Sequence, residues 1–166
     1  MTDDGMSSQS EDPREQLKEK ILEEQARLGP ADTFKFGCHP GVSCFNTCCS
    51  DVNIFLSPYD VLRLTRRLGM SSTEFLEKHI LLPVQKDMTT PVVLLKMKEE
   101  EGNPCPFLTE EGCGVYTDRP WPCRMYPVGL ATSRDTPDGM PGERFYFLLQ
   151  EEGCLGFEEA REGTVR

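Results

Sequence analysis

Apolar positions along the chain fall into short local patterns separated by Gly, Pro and charged residues, with no long single period. Over residues 14–29, Leu17, Ile21, Leu22 and Leu28 recur between Glu and Lys, and the run stops at Gly29-Pro30. That spacing predicts an amphipathic helix lying on the domain by one stripe. Ser57-Pro58-Tyr59-Asp60 opens a second helix: Ser57 caps it, Pro58 takes its first position, and a carboxylate follows three residues after the cap. Val61, Leu62, Leu64 and Leu68 carry the apolar face of that helix, and Gly69 closes it. Ser71-Ser72-Thr73-Glu74 opens a third, with Phe75, Leu76 and Ile80 on its apolar face, so the two form a helical hairpin. Pro91 to Met97 and Arg144 to Leu149 are short, apolar runs that read as strands. Thr109-Glu110-Glu111-Gly112 is a turn that would fold Phe107-Leu108 onto Val115-Tyr116. Gly129 to Gly142, rich in Gly, Pro, Asp, Ser and Thr, reads as a loop. These pieces predict an α+β domain, small, irregular and loop-rich, with a few helices and short strands and in need of metal stabilisation.

The domain is expected over residues 34–157, in line with a length of 166 residues. Residues 1–13 form an acidic, Ser-rich tail with nothing to bury and are expected to be disordered. Residues 158–166 read as a flexible acidic tail. The formal charge of −10 leaves no basic face for phosphate, so no nucleic-acid partner is expected. The N-terminal sixteen residues carry acids where a signal peptide carries bases, and the longest apolar runs fall far short of the roughly 20 residues that cross a bilayer. The expectation is a cytoplasmic protein without a membrane partner. A protein partner that the sequence does not identify remains compatible with it.

Eight cysteines change the picture, because in a reducing compartment an even set of free thiols points to metal ligation instead of disulfides. Cys38, Cys44, Cys48 and Cys49 lie within twelve residues, framed by Gly37 and Gly41. Cys105, Cys113 and Cys123 follow the helical pair, each beside a Pro or Gly, and Cys154 stands apart between two glycines. Four thiolates close a tetrahedral set for zinc or hold an iron–sulfur cluster, so eight serve two mononuclear sites or one larger polynuclear site. Neighbouring side chains diverge on a strand or a helix, which sends Cys48 and Cys49 to different ions, or one to an ion and the other to packing. Cys154 reads as a ligand or as a small buried hydrophobe. His39 adjoins Cys38 without being needed as a ligand, and His79 reads as a surface residue at a helix end. Arg119 and Arg124 flank Cys123 and either offset thiolate charge or form ordinary ion pairs, while Tyr116, Trp121 and Tyr126 pack around the site.

The order Phe36-Gly37-Cys38, Cys44, Cys48-Cys49, Cys105-Pro106-Phe107-Leu108, Gly112-Cys113-Gly114-Val115-Tyr116, Arg119-Pro120, Cys123-Arg124 and Tyr126-Pro127 resembles the bacterial YkgJ-type cysteine-cluster family, CxxCxxCC. The likeness spans residues 34–157. Its first block is looser than the family pattern, with five residues between Cys38 and Cys44 and three between Cys44 and Cys48. The resemblance implies chelation of zinc or iron, with the metal ion as partner and all eight cysteines as candidate ligands. It extends to a flagellin lysine N-methylase, but the chain carries no Gly-x-Gly-x-x-Gly loop that would bring a methyl-transfer activity with it. Three functions follow: a non-catalytic metalloprotein with a structural or metal-handling role; an iron–sulfur redox or methyltransferase-type enzyme component; and a thiol oxidoreductase using Cys48-Cys49 or another cysteine pair as its exchange centre.

Overall fold

Two serine caps set the helical hairpin. In the computed structural model, which describes residues 27–83, 92–132, 142 and 144–165, helix α1 spans Pro58–Leu68 and α2 spans Ser72–His79. Each begins with a reciprocal capping box, Ser57 with Asp60 and Ser71 with Glu74, which satisfies two amides left without helical partners. Gly69 ends α1 at φ 66°, a left-handed turn that glycine adopts without a Cβ penalty.

The strands are short and pair antiparallel in twos. Strand β1 (Thr33–Lys35) pairs with β8 (Glu162–Thr164), and β2 (Ile80–Leu81) with β3 (Leu94–Leu95). Strand β4 (Leu108–Thr109) pairs with β5 (Gly112–Cys113), and β6 (Val128–Thr132) with β7 (Arg144–Leu148). The architecture is therefore the small α+β domain expected, with a third short helix, α3, at Trp121–Met125.

One apolar core holds the hairpin to the strands. Ile54, Leu56, Leu64, Phe75, Ile80, Leu95, Phe107 and Val115 are buried together, and Leu64 and Phe75 are sealed from solvent completely. Each of those two contributes about 2 to 3 kcal/mol by leaving water. The extended segment at Ile54–Leu56 joins the core by hydrogen bonds, Leu56 N to Val93 O at 2.9 Å and Leu95 N to Ile54 O at 2.9 Å. A second, smaller cluster of Phe36, Tyr126 and Phe157 rings lies outside that core, with centroids 5.2 and 5.5 Å from Phe36.

Several elements depart from the sequence expectation. The expected loop from Gly129 begins as strand β6, because Gly129 lies flat against Phe147: a Cβ there would come within 2.5 Å of that ring. The predicted hairpin forms, but its register brings Leu108 opposite Cys113, so Val115 turns into the core and Tyr116 starts a 3-10 turn. Among the described residues of the run expected from Pro91 to Met97, only Leu94–Leu95 is strand. The amphipathic helix expected over 14–29 lies outside the described residues except at its end, where Leu28 bridges to Tyr146. The tail expected over 1–13 lies outside them altogether.

Candidate metal centre

The first cysteine stretch is a chain of tight turns. Val42 N donates to His39 O, Phe45 N to Val42 O, Thr47 N to Cys44 O and Cys49 N to Asn46 O, at 2.8 to 3.1 Å. Asn46 takes the left-handed conformation at φ 68°, and Thr47–Cys49 then forms a 3-10 turn. With three residues per turn, adjacent side chains leave such a helix about 120° apart. Cys48 and Cys49 therefore face different neighbours.

Cys49 faces inward. Cys105 N donates to Cys49 O at 2.8 Å, which ties the two segments directly. Strand pairing of β4 with β5 then brings Cys113 back beside Cys105, and α3 carries Cys123 to the same place. Cys105 belongs to the apolar core, and Cys49, Cys113 and Cys123 all pack against it. Their thiols feel one another: burial pushes Cys123 up to about 12, with Cys105 and Cys113 adding to the rise. Burial also raises Cys105, against the backbone amides of Phe107 and Leu108, which point at its sulfur. Amides turned toward sulfur stabilise a thiolate or its metal complex.

Cys48 lies between the two groups: its charge reaches Cys123, and it also acts on Cys38, which has Cys44 and Cys154 as further neighbours. Burial raises the pKa of Cys38, and the charges of Cys48, Cys44 and Cys154 raise it further. The chain's far end closes this set: Leu155 N donates to Cys44 Sγ at 3.2 Å, and Gly37 N donates to Gly156 O at 2.9 Å. Gly156 permits that approach because a Cβ there would lie 2.6 Å from Phe36 and 2.9 Å from the Gly37 carbonyl. Between the two sets, the Cys49 thiol donates to the Cys48 sulfur and lowers Cys48 to about 6, while Cys49 is correspondingly raised.

The eight candidate ligands thus fall into an inner set, Cys49, Cys105, Cys113 and Cys123, and an outer set, Cys38, Cys44, Cys48 and Cys154. All eight thiols are free. As they stand, no three His, Cys, Asp or Glu side chains among the described residues meet closely enough to hold one ion. Within each set the cysteines are neighbours by charge and by backbone contact.

Two buried polar groups fit such anionic sulfur. Arg119 Nε is buried with no hydrogen-bond partner among the described residues, and its cation lowers both Cys38 and Cys123 from its place beside the two sets. Its guanidinium lies 3.9 Å over the Tyr116 ring. The Tyr126 hydroxyl is likewise buried without a partner; Cys154 falls short of hydrogen-bond geometry yet, after burial, is the next influence raising this phenol. Sequence reading assigns Arg119 a charge-offsetting role or an ordinary ion pair and Tyr126 a place packed around the site; the burial of both polar groups without partners among the described residues is seen only in the fold. Arg124 faces away, with Nη2 3.8 Å from Asp60.

The histidines do not join the sets. His39 is occupied on both nitrogens, Nδ1 by the Gly41 amide at 3.1 Å and Nε2 by Glu159 at 3.2 Å. His79, expected at the surface, is instead half-buried between the Phe75 and Phe107 rings, 5.3 and 5.2 Å away, and burial lowers its pKa. Phe75 lies four residues before it on the same helix face, the spacing that could have signalled this packing.

No helix among the described residues is long and apolar enough to cross a membrane. No curated protein and no solved structure matches the chain. A family profile does: CxxCxxCC, described as "Putative zinc- or iron-chelating domain", matches residues 37–155 and so takes in every one of the eight cysteines. With well over half its length matched, the chain belongs to the CxxCxxCC family.

Proposed function

We propose that this protein binds zinc or iron through two four-cysteine sets, Cys49, Cys105, Cys113 and Cys123 in one and Cys38, Cys44, Cys48 and Cys154 in the other. The observation that carries the reading is that Cys49 packs on the core with Cys105, Cys113 and Cys123, while its neighbour Cys48 acts on Cys38, which also feels Cys44 and, from the far end of the chain, Cys154. Four thiolates around a divalent ion leave a net charge of about −2, and Arg119 stands where it would offset that charge for both sets. Tyr126 would donate its buried proton toward Cys154, and the amides of Leu155, Phe107 and Leu108 would hold their sulfurs in place. The metal would supply the cross-link between chain segments, and the protein's role would be structural or in handling the metal within the cytoplasm.

A second reading rests on Cys48. An exposed thiol lowered to about 6 and touching a second thiol is a competent nucleophile for thiol–disulfide exchange. Elemental analysis of anaerobically purified protein, with an absorption spectrum on the same sample, separates the readings. Colourless protein with zinc, or brown protein with iron and sulfide, in either case with its cysteines resistant to alkylation, supports metal binding. Metal-free protein with readily alkylated thiols refutes it and favours exchange.

A further inference from the structure

The two sets differ in what holds them, and that difference assigns them different work. Inner-set sulfurs sit in or against the main core: Cys105 is 8% exposed, and Cys49, Cys113 and Cys123 pack on the same cluster as Leu64 and Phe75. Opening the inner set means opening the core. Outer-set Cys38 and Cys48 are exposed. None of the four outer cysteines belongs to the core cluster or packs against it. Their closure rests on the Leu155 and Gly37 hydrogen bonds, the three-residue pairing of β1 with β8, and the small Phe36–Tyr126–Phe157 cluster. A unit with so few buried contacts opens locally, at a free energy well below that of global unfolding.

Building on the two-set reading above, we infer that the outer set is an exchangeable metal site, open to an incoming chelating ligand, while the inner set holds its metal permanently as part of the fold. The exchange is a ligand substitution without redox change. The four metal–sulfur bonds break one after another as donor atoms of the acceptor bond to the metal in their place, and each departing thiolate takes a proton from water. Local opening of the residues around Cys38 and Cys154 exposes the ion to the acceptor, and the core around Leu64 and Phe75 stays closed throughout. The acceptor is any soluble multidentate ligand of matching affinity, represented in the test by EDTA.

The full chain, loaded anaerobically with Zn2+, is challenged with excess EDTA. Native mass spectrometry follows the bound ions, and iodoacetamide with peptide mapping is applied to each species. The expected result is early loss of one of the two ions, with accumulation of a one-metal species whose labels fall on Cys38, Cys44, Cys48 and Cys154 and spare Cys49, Cys105, Cys113 and Cys123. Cys38→Ser is expected to hold one ion and to release it at the slow rate. Loss of both ions in one step, or labels on the inner set first, overturns the inference and leaves metal binding standing. A chain that takes up no zinc overturns the reading on which the inference rests.

Discussion

Asp60 offers the sharpest test of how the helical hairpin supports the inner cysteine set. Its carboxylate is only 1% exposed and serves two helices at once. Oδ2 accepts from Ser57 N at 3.0 Å and Ser57 Oγ at 2.6 Å, closing the cap of α1. Oδ1 accepts from Trp121 N at 2.8 Å, fixing the start of α3 two residues before Cys123. Replacing it by alanine leaves the Trp121 and Ser57 amides without their charged acceptor and the Arg124 guanidinium without its 3.8 Å partner. Hydrogen bonds to a charged group contribute about 1.5 to 3 kcal/mol each, so two of them give a loss of about 3 to 6 kcal/mol. The Arg124 guanidinium left behind is 33% exposed and takes water in place of the carboxylate, so the lost ion pair adds little to that figure. Asp60→Asn keeps the volume and one acceptor oxygen, so about 2 kcal/mol is expected, while Ser57→Ala removes only a cap worth about 1 kcal/mol. Urea unfolding read by circular dichroism ranks the variants, compared at equal metal content because bound metal adds to apparent stability. Asp60→Ala should also lose metal from the inner set more readily than Ser57→Ala. A loss below about 1 kcal/mol for Asp60→Ala, a value typical of an unremarkable surface change, would refute the double-capping account.

Further outcomes follow from the thiol environments. In the reduced, metal-free protein, Cys48, lowered from an ordinary 9.0 to about 6, should react with iodoacetamide at a rate that rises through pH 6 and levels off near neutrality; mass spectrometric labelling across pH checks it, and a midpoint near 9 would contradict it. Cys38, Cys105 and Cys123 have raised values, so their contribution to stability is complete below 9.0 and is lost as pH climbs, for Cys123 through about 12; urea midpoints should therefore fall above pH 9. Gly156→Ala forces a Cβ into the Phe36 ring and the Gly37 carbonyl, and should cut outer-set metal retention while sparing the inner set, as native mass spectrometry would report. Stripping all metal should speed amide exchange around the cysteines of residues 38–49 and 105–123, since ligands from distant segments meet only in the folded state; unchanged exchange would argue against a metal staple.

The helices α1 and α2 were legible because their signals are local: a serine cap, a carboxylate three residues on and, for α1, a closing glycine all lie within a few residues. Strand β6 was not, since Gly129 and Ala131 are poor strand formers and owe their conformation to β7 and the Phe147 ring across from them. The pairing of Thr33–Lys35 with Glu162–Thr164 joins the two ends of the described chain, and neither three-residue strand carries a pattern of its own. The same limit applies to the cysteines. That Cys48 and Cys49 would diverge followed from backbone geometry alone, and the 3-10 turn supplies that geometry. Which cysteines each would face depended on contacts across more than a hundred residues, such as Leu155 N with Cys44 Sγ, and no spacing encodes them. The family likeness was carried by motifs of a few residues each, and the matched profile over residues 37–155 agrees with it.

The central claim is that sulfur alone holds the metal. X-ray absorption fine structure at the edge of whichever metal the purified protein carries tests it most directly. If the protein carries zinc, the account predicts a first shell of about four sulfur atoms at about 2.3 Å, with no imidazole signature because His39 and His79 are both engaged elsewhere. A shell containing nitrogen or oxygen ligands at about 2.0 to 2.1 Å in place of sulfur would contradict it.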